Sequence, residues 1–202
     1  MKSYWELNLP VQKSYKSLSK NIDRDIVVIG GGIAGILTAY HLTKQGFKVT
    51  LVEAETLFSG VTSKTTAHIT AQHGDILSTL KLNQAKLYYE SQQQALSSYK
   101  DIIEKEKIDC DFEIVNDYNY TLDKLKKIKK LYKVLKKIGV DSTFYENKSI
   151  LGFNALGVIE TYNQAIFHPL KFLSQLKKDF EIFENTRILK IDMKKKILYS
   201  KE

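Results

Sequence analysis

The sequence predicts an α/β fold in which a β-α-β unit starts a parallel sheet and a mixed α+β lobe is inserted later in the chain. Three observations predict it. Two short, apolar, β-branched runs at 25–29 and 47–53 have the composition of buried parallel strands. The segment between them carries apolar residues at helical spacing from Ile33 to Leu42. Further helix and strand patterns follow along the rest of the 202 residues.

A glycine-rich turn of the pattern G-x-G-x-x-G joins the first strand to the helix. Gly30 allows a sharp turn out of the strand, Gly32 lets a pyrophosphate approach the backbone, and Gly35 lets the helix pack closely on the sheet. The start of the helix adds unpaired N–H groups and a partial positive charge, roughly half an elementary charge. Gly46 is predicted to end the helix. The pattern indicates a Rossmann-like dinucleotide-binding unit.

The second strand ends in Glu53, 18 residues after Gly35. A carboxylate in this place can accept hydrogen bonds from both ribose hydroxyls of an adenosine, and it repels a 2′-phosphate, which disfavours NADP. The motif alone does not distinguish FAD from NAD, because both present an ADP half. The hydroxyl-rich loop 56–74 favours FAD, since it can line the remaining length of an extended ligand.

The remaining patterns predict a series of helices and strands. Helices are predicted at 75–107, 122–138 and 168–178, and strands at 112–121, 140–145, 157–162, 181–192 and 196–200. The first of these helices is expected to bury Leu77, Leu80, Leu87, Leu96, Ile102 and Ile103. The second is amphipathic, with an apolar side that begins at Leu122 and ends at Ile138.

We expect three parts, which differ in function. They are an N-terminal arm at 1–21 that packs onto the body, a cofactor domain at 22–75 and 165–202, and a substrate lobe at 76–164.

Composition excludes several classes of protein. Cys110 is the only cysteine, so the chain contains neither an internal disulfide nor a cysteine-based iron–sulfur site, which fits a reducing, cytoplasmic setting. No apolar run is long enough to span a bilayer. The net charge of +8 equals the eight lysines of 124–137, so one helix carries the surplus. We interpret the lysines as the solvated outer face of this helix and expect no nucleic-acid partner.

The segments 25–53, 59–62 and 167–170 resemble the D-amino-acid oxidase/glycine oxidase (DAO) superfamily of FAD-dependent oxidoreductases. The stretch 64–73 resembles a bacterial subgroup whose longer members end in a Rieske iron–sulfur domain. The resemblance extends from about Tyr4 to Ser200. It implies an FAD-binding domain and oxidation of a small-molecule amine or amino acid by hydride transfer to the flavin.

The resemblance also implies roles for individual residues. The cofactor-binding residues would be Gly30, Gly31, Gly32, Ile33, Ala34, Gly35, Glu53, Ala54, Thr62, Ser63, Lys64, Thr65 and Thr66. Lys64 stands where some relatives attach the flavin through a histidine, so non-covalent FAD is expected.

His68 is the one catalytic candidate, as a proton shuttle near the flavin, with a backbone-bonded loop histidine as the alternative. We expect no metal site, because His68 and His73 have no third ligand at convincing spacing other than Asp75.

Relatives in this family continue well beyond residue 202, which implies a C-terminally incomplete fold that a further segment or a partner polypeptide would complete. Two alternative functions stay open at this point. One is a truncated, non-catalytic dinucleotide-binding fragment or subunit. The other is an NAD-dependent dehydrogenase.

Overall fold

The computed structural model describes residues 2–10, 12–150 and 152–200. Met1 and Val11 of the predicted arm, Leu151 of the predicted lobe, and residues 201–202 of the predicted cofactor domain lie outside the described residues.

The chain divides into two compact units, which we describe one at a time. The first comprises Met1–Thr66, Ile108–Cys110 and His168–Glu202, and the second comprises Ala67–Lys107 and Asp111–Phe167. The predicted division into arm, cofactor domain and substrate lobe concerns function, and it stays a prediction.

Helices and strands are interspersed along the chain, as the sequence predicts for an α/β fold. The helices are α1 (Tyr4–Leu7), α2 (Ile33–Lys44), α3 (Ile76–Thr79), α4 (Leu82–Glu106), α5 (Leu125–Lys137) and α6 (Pro169–Leu176). The strands are β1 (Ile26–Ile29), β2 (Val49–Val52), β3 (His68–Ile69), β4 (Glu113–Thr121), β5 (Ser142–Ile150), β6 (Phe153–Ile166), β7 (Glu181–Phe183), β8 (Ile188–Asp192) and β9 (Ile197–Ser200). A 3₁₀-helix covers Val61–Lys64.

The first unit contains the predicted parallel sheet, with the strand order β1-β2-β7. Both strand pairs are parallel, with Ile26 opposite Val49 and Thr50 opposite Glu181. The central strand β2 is buried along its whole length, whereas Ile29 at the end of β1 is 50% exposed. Burial on both faces explains why three of its four residues, Val49, Leu51 and Val52, are apolar.

Helix α2 returns the chain from β1 to β2 and lies against the sheet. Ile36 and Ala39 on its inner side are fully buried. The helix ends as predicted at Gly46, which has a φ of +91° and donates its N–H to the Thr43 carbonyl at 2.9 Å. This β-α-β connection places the glycine turn at the carboxyl end of β1.

The N-terminal segment is held in the first unit by backbone and side-chain hydrogen bonds. The indole N–H of Trp5 donates to the Thr65 carbonyl at 2.8 Å, and the Leu18 amide donates to Thr186 Oγ1 at 3.0 Å. Helix α6 begins at Pro169 as predicted, and the preceding His168 accepts the Lys171 amide through Nδ1 at 3.2 Å.

The second unit is built around the long strand β6, which pairs antiparallel with β3, β4 and β5. Helix α5 covers one face of this sheet with its apolar side. One core cluster of the unit contains Leu77, Ala85, Ile128, Leu131, Leu135, Ile138, Val140 and Ile159. The lysines of α5 are left on the outer side of an amphipathic helix.

Some details differ from the sequence prediction. The strand predicted at 157–162 extends from Phe153 to Ile166, and the predicted loop 56–74 contains a 3₁₀-helix and β3. Leu87 was predicted to be buried but is 69% exposed. It lies two residues after the buried Ala85, and because two residues are about 200° of rotation it faces the opposite side of α4. Leu122 precedes α5 and is 59% exposed.

Among the residues that the structure describes, no helix combines the length and the apolar composition needed to cross a membrane.

Truncating Leu135, which is fully buried in the second unit's core, is expected to lower the free energy of unfolding strongly. We expect Leu135→Ala to cost about 2–5 kcal/mol, because it removes apolar contacts and leaves a cavity. The matched control Leu87→Ala should change stability by less than about 0.5 kcal/mol. Urea unfolding followed by circular dichroism measures both. If both variants lost the same free energy of unfolding, the assignment of Leu135 to the core and of Leu87 to the surface would be wrong.

Candidate functional site

The glycine turn after β1 requires glycine at two positions for different reasons. Gly30 has a φ of +107°, a conformation that side chains disfavour, and its N–H donates to the Val52 carbonyl at 2.8 Å. A Cβ on Gly35 would lie 1.9 Å from the Gly30 carbonyl oxygen. The first turn of α2 therefore packs against the preceding backbone so closely that only glycine fits at position 35.

The Glu53 carboxylate lies against this turn. Its Oε2 accepts the Gly31 amide at 2.6 Å, and its Oε1 accepts the Glu55 amide at 2.9 Å. The Glu53 amide donates to the Phe183 carbonyl at 2.9 Å, which fixes the residue to β7. A carboxylate has about four acceptor directions, so these two bonds leave capacity for hydroxyl donors of a sugar.

The loop after β2 closes over the start of α2. Thr62 Oγ1 accepts the Ile33 amide at 3.1 Å, and a Cβ on Gly32 would lie 3.1 Å from the same oxygen. The following amides of the first turn have no partner within the helix, because a helix leaves its first N–H groups unpaired. Together with the helix dipole, these amides favour an anion beside Gly32.

A cleft of about 280 Å³ opens at this turn in the first unit. Its walls include Gly32, Glu53, Ala54, Phe58, Thr62 and Arg187. Backbone amides, a carboxylate and a guanidinium group are thus brought together. Amides and guanidinium suit a pyrophosphate, and the carboxylate suits ribose hydroxyls, so the donor set fits the ADP half of a dinucleotide.

The predicted loop residues 63–66 do not line this cleft. Ser63 is buried and its hydroxyl donates to the Gly60 carbonyl at 3.2 Å, whereas Lys64 and Thr66 are exposed. The Thr65 carbonyl accepts the indole of Trp5. Of the predicted loop residues 62–66, Thr62 alone is a wall of the cleft described above.

Three residues at or behind the cleft were not found from the sequence. Arg187 and Phe58 line it. Glu184, which is 4% exposed, holds the loop from behind by accepting the amides of Leu57 at 2.7 Å and Tyr15 at 2.8 Å. No local pattern marks these residues, since their partners are distant in sequence.

His68, the catalytic candidate, lies in β3 of the second unit with an exposed side chain. On β4 of the same sheet, burial raises the pKa of Asp117, and the charge of His68 and the hydrogen bond from Asn119 act in the opposite direction. His73 shares a hydrogen bond of 2.7 Å with the Tyr88 hydroxyl. Within the described ranges, no three His, Cys, Asp or Glu side chains are grouped to hold a metal ion.

Comparison with known proteins gives one family. Residues 25–200 match the family described as FAD dependent oxidoreductase (DAO). The chain is 35% identical over 204 residues to the putative Rieske 2Fe-2S iron-sulfur protein YhfW of Bacillus subtilis (strain 168), an alignment that covers 96% of this chain and 39% of that protein. The resemblance inferred from the sequence is therefore confirmed.

Solved structures share the fold. Glycine oxidase from Geobacillus kaustophilus matches with a TM-score of 0.66 and 16% identity, over 84% of this chain and 48% of that one. L-Amino acid deaminase from Proteus myxofaciens, in complex with anthranilate, matches with a TM-score of 0.70 and 16% identity, over 96% of this chain and 44% of that one. The chain spans less than half the length of each of these relatives.

A side chain at position 35 is expected to disrupt the turn. Gly35→Ala places a Cβ 1.9 Å from a backbone oxygen, and we expect it to lower the free energy of unfolding by about 1–3 kcal/mol, because extra atoms forced into a packed region shift the backbone. Gly60→Ala is the matched control, because a Cβ there meets nothing within 4 Å and its φ is −83°. Thermal unfolding compares the two variants, and an unaffected Gly35→Ala variant would contradict the close approach.

Asp117 should make stability depend on pH. Because the pKa of Asp117 is raised in the folded state above its ordinary 3.8, the folded protein binds more protons in that window and loses stability as the pH rises through it. Asp117→Asn removes this loss. The stability of the variant relative to the natural chain should therefore increase from pH 3.5 towards neutral pH and then level off. If the urea-unfolding midpoints of Asp117→Asn and the natural chain changed in the same way across that range, a raised pKa of Asp117 would be ruled out.

Proposed function

The chain belongs to the family of FAD-dependent oxidoreductases, the DAO family, and from that premise we propose that it is the cofactor-binding and substrate-contacting part of an enzyme that oxidises an amine or amino acid. FAD is the cofactor that this membership indicates. One observation carries the proposal: the Glu53 carboxylate, 2.6 Å from the Gly31 amide, stands at a cleft lined by Gly32 and Thr62.

The proposal assigns each part of the cleft to a part of the cofactor. The backbone at Gly32 and the first amides of α2 hold the pyrophosphate, and Glu53 accepts the ribose hydroxyls. The guanidinium of Arg187, which lies 3.6 Å from Glu55 and lines the cleft, offsets part of the negative charge of the diphosphate.

Bound FAD supplies the acceptor for the hydride equivalent that an amine substrate loses. The protein's own residues bind and orient the ligand. Glu184 fixes the loop at Leu57 through a hydrogen bond of 2.7 Å, and Thr62 fixes the helix start at 3.1 Å, so both walls of the cleft are set before any ligand arrives. His68 keeps its assignment as the proton-moving candidate.

We also propose that FAD is held without a covalent bond, because the loop position used for attachment in some relatives is occupied by Lys64. A cytoplasmic location is proposed from the cysteine content, because a sequence with one cysteine, Cys110, forms no internal disulfide. Since the chain spans less than half the length of the relatives compared above, the turnover proposed belongs to the enzyme completed by a further segment or by a partner polypeptide.

Purified protein stripped of flavin is expected to bind FAD, and Glu53→Gln is expected to bind it at least about tenfold more weakly. Loss of a hydrogen bond to a charged group costs about 1.5–3 kcal/mol, and about 1.4 kcal/mol corresponds to a factor of ten in Kd. Quenching of flavin fluorescence measures the affinity. Asp179→Asn is the control, since this exposed carboxylate of the first unit is bonded to Lys44 at 3.0 Å, away from the cleft.

Competition and denaturation complete the experiment. NAD should not displace FAD, and acid precipitation should release the flavin into the supernatant because no covalent bond holds it. Preferential binding of NAD would favour the dehydrogenase alternative. Equal FAD affinity of the natural chain and Glu53→Gln would refute the proposed role of the carboxylate.

A further inference from the structure

A second cluster of polar groups lies on the antiparallel sheet of the second unit. Strand pairing places Tyr118 of β4 and Thr143 of β5 on either side of Glu160 in β6. Side chains of a strand alternate between the two faces, so Tyr145 shares the face of Thr143 and Glu160. The opposite face presents Ile159 to the core beneath α5.

Glu160 is an almost fully buried carboxylate, 8% exposed, that is surrounded by donors. Its Oε1 accepts Asn116 Nδ2 at 2.8 Å and the Tyr118 hydroxyl at 2.7 Å, and its Oε2 accepts the Tyr145 hydroxyl at 2.9 Å. Because a carboxylate has about four acceptor directions, these bonds leave one direction of Oε2 without a hydrogen bond among the described residues.

The Glu160 carboxylate is negatively charged at neutral pH, whereas the two phenols beside it are neutral. The Tyr118 hydrogen bond is the main cause that lowers the pKa of Glu160, so the carboxylate is ionised. The same carboxylate raises the pKa of Tyr118 and raises that of Tyr145 to about 12, so both phenols remain neutral donors. A negative group is thus held between two aromatic rings.

An ammonium group already lies on this face. Lys148 Nζ stands 3.3 Å from the centre of the Tyr145 ring, and its charge contributes to the lowered pKa of Glu160. The aromatic ring and the carboxylate therefore interact with an alkylammonium within the chain itself. Tyr118 remains 40% exposed beside them, so its ring offers a further aromatic surface to a cation from solution.

We propose that the Tyr118–Tyr145–Glu160 cluster binds the ammonium group of a small organic amine and disfavours a ligand that also carries a carboxylate next to that ammonium. Opposite charge and two aromatic rings attract the cation, whereas the Glu160 charge repels an adjacent anion. This inference deepens the proposed function, on which it rests for the role of the amine as substrate. It selects an amine rather than an α-amino acid.

The test compares two probes that differ only in one carboxylate. n-Butylamine is a cation at pH 7.5, and norvaline is the same molecule with an α-carboxylate added. Isotope-labelled, flavin-free protein is titrated with each at constant ionic strength, and amide NMR shifts report the position and the affinity of binding. We expect n-butylamine to shift residues 118, 145 and 160 and to bind at least tenfold more tightly than norvaline.

Variants define the site. Glu160→Gln should weaken n-butylamine binding at least tenfold, and Tyr118→Ala, at an exposed position, should weaken it at least threefold. Lys148→Gln removes the competing ammonium and should tighten binding. Glu146→Gln is the matched control, because Glu146 lies on β5 but points to the α5 side, where it bonds Lys129 at 2.6 Å.

Several results would overturn the inference. If norvaline bound as tightly as n-butylamine, the proposed discrimination against a carboxylate would be wrong. If Tyr118→Ala bound n-butylamine with unchanged affinity, the proposed binding site would be wrong, and this result holds even if Glu160→Gln does not fold. A Lys148→Gln variant that does not bind more tightly would also count against it. Since no flavin is present in this experiment, its outcome is independent of the FAD titration.

Discussion

A hydrogen bond 2.6 Å long between the Gly31 amide and the Glu53 carboxylate holds the two ends of the β-α-β unit together at the cleft. It joins the turn that follows β1 to the residue that follows β2. The parallel register of the two strands brings these points to one edge of the sheet, where strand carboxyl ends form a ligand crevice in α/β folds. A distorted glycine turn, or the loss of the Glu53 carboxylate, would break this hydrogen bond. The turn and the carboxylate, which a dinucleotide would contact together, would then no longer be held side by side.

The supporting contacts come from distant parts of the chain. Glu184 holds the loop after β2 through the Leu57 amide and the N-terminal segment through the Tyr15 amide, although 169 residues separate Glu184 from Tyr15. Phe183 holds the backbone of Glu53. The cleft is therefore shaped by three stretches of chain, and its walls are set by hydrogen bonds that do not involve a ligand. Such preorganisation lowers the entropic cost of binding.

Local patterns predicted the parts of the structure that depend on neighbouring residues. The β-α-β unit, the end of α2 at Gly46 and the start of α6 at Pro169 follow from periodicity, glycine conformation and proline geometry, which a short stretch of sequence contains. Leu87 was placed on the wrong side of its helix because apolar character alone does not fix helical phase. Arg187 and the hydrogen bonds around Glu160 were not found, since they depend on how separated strands align.

Binding of the ADP half of a dinucleotide by the glycine turn and Glu53 can be tested by amide NMR of the labelled protein titrated with ADP. We expect saturable shifts centred on Gly31, Gly32 and Ala34, at and just before the start of α2. Shifts confined to the second unit, or no shifts at concentrations far above those at which FAD binds, would contradict it.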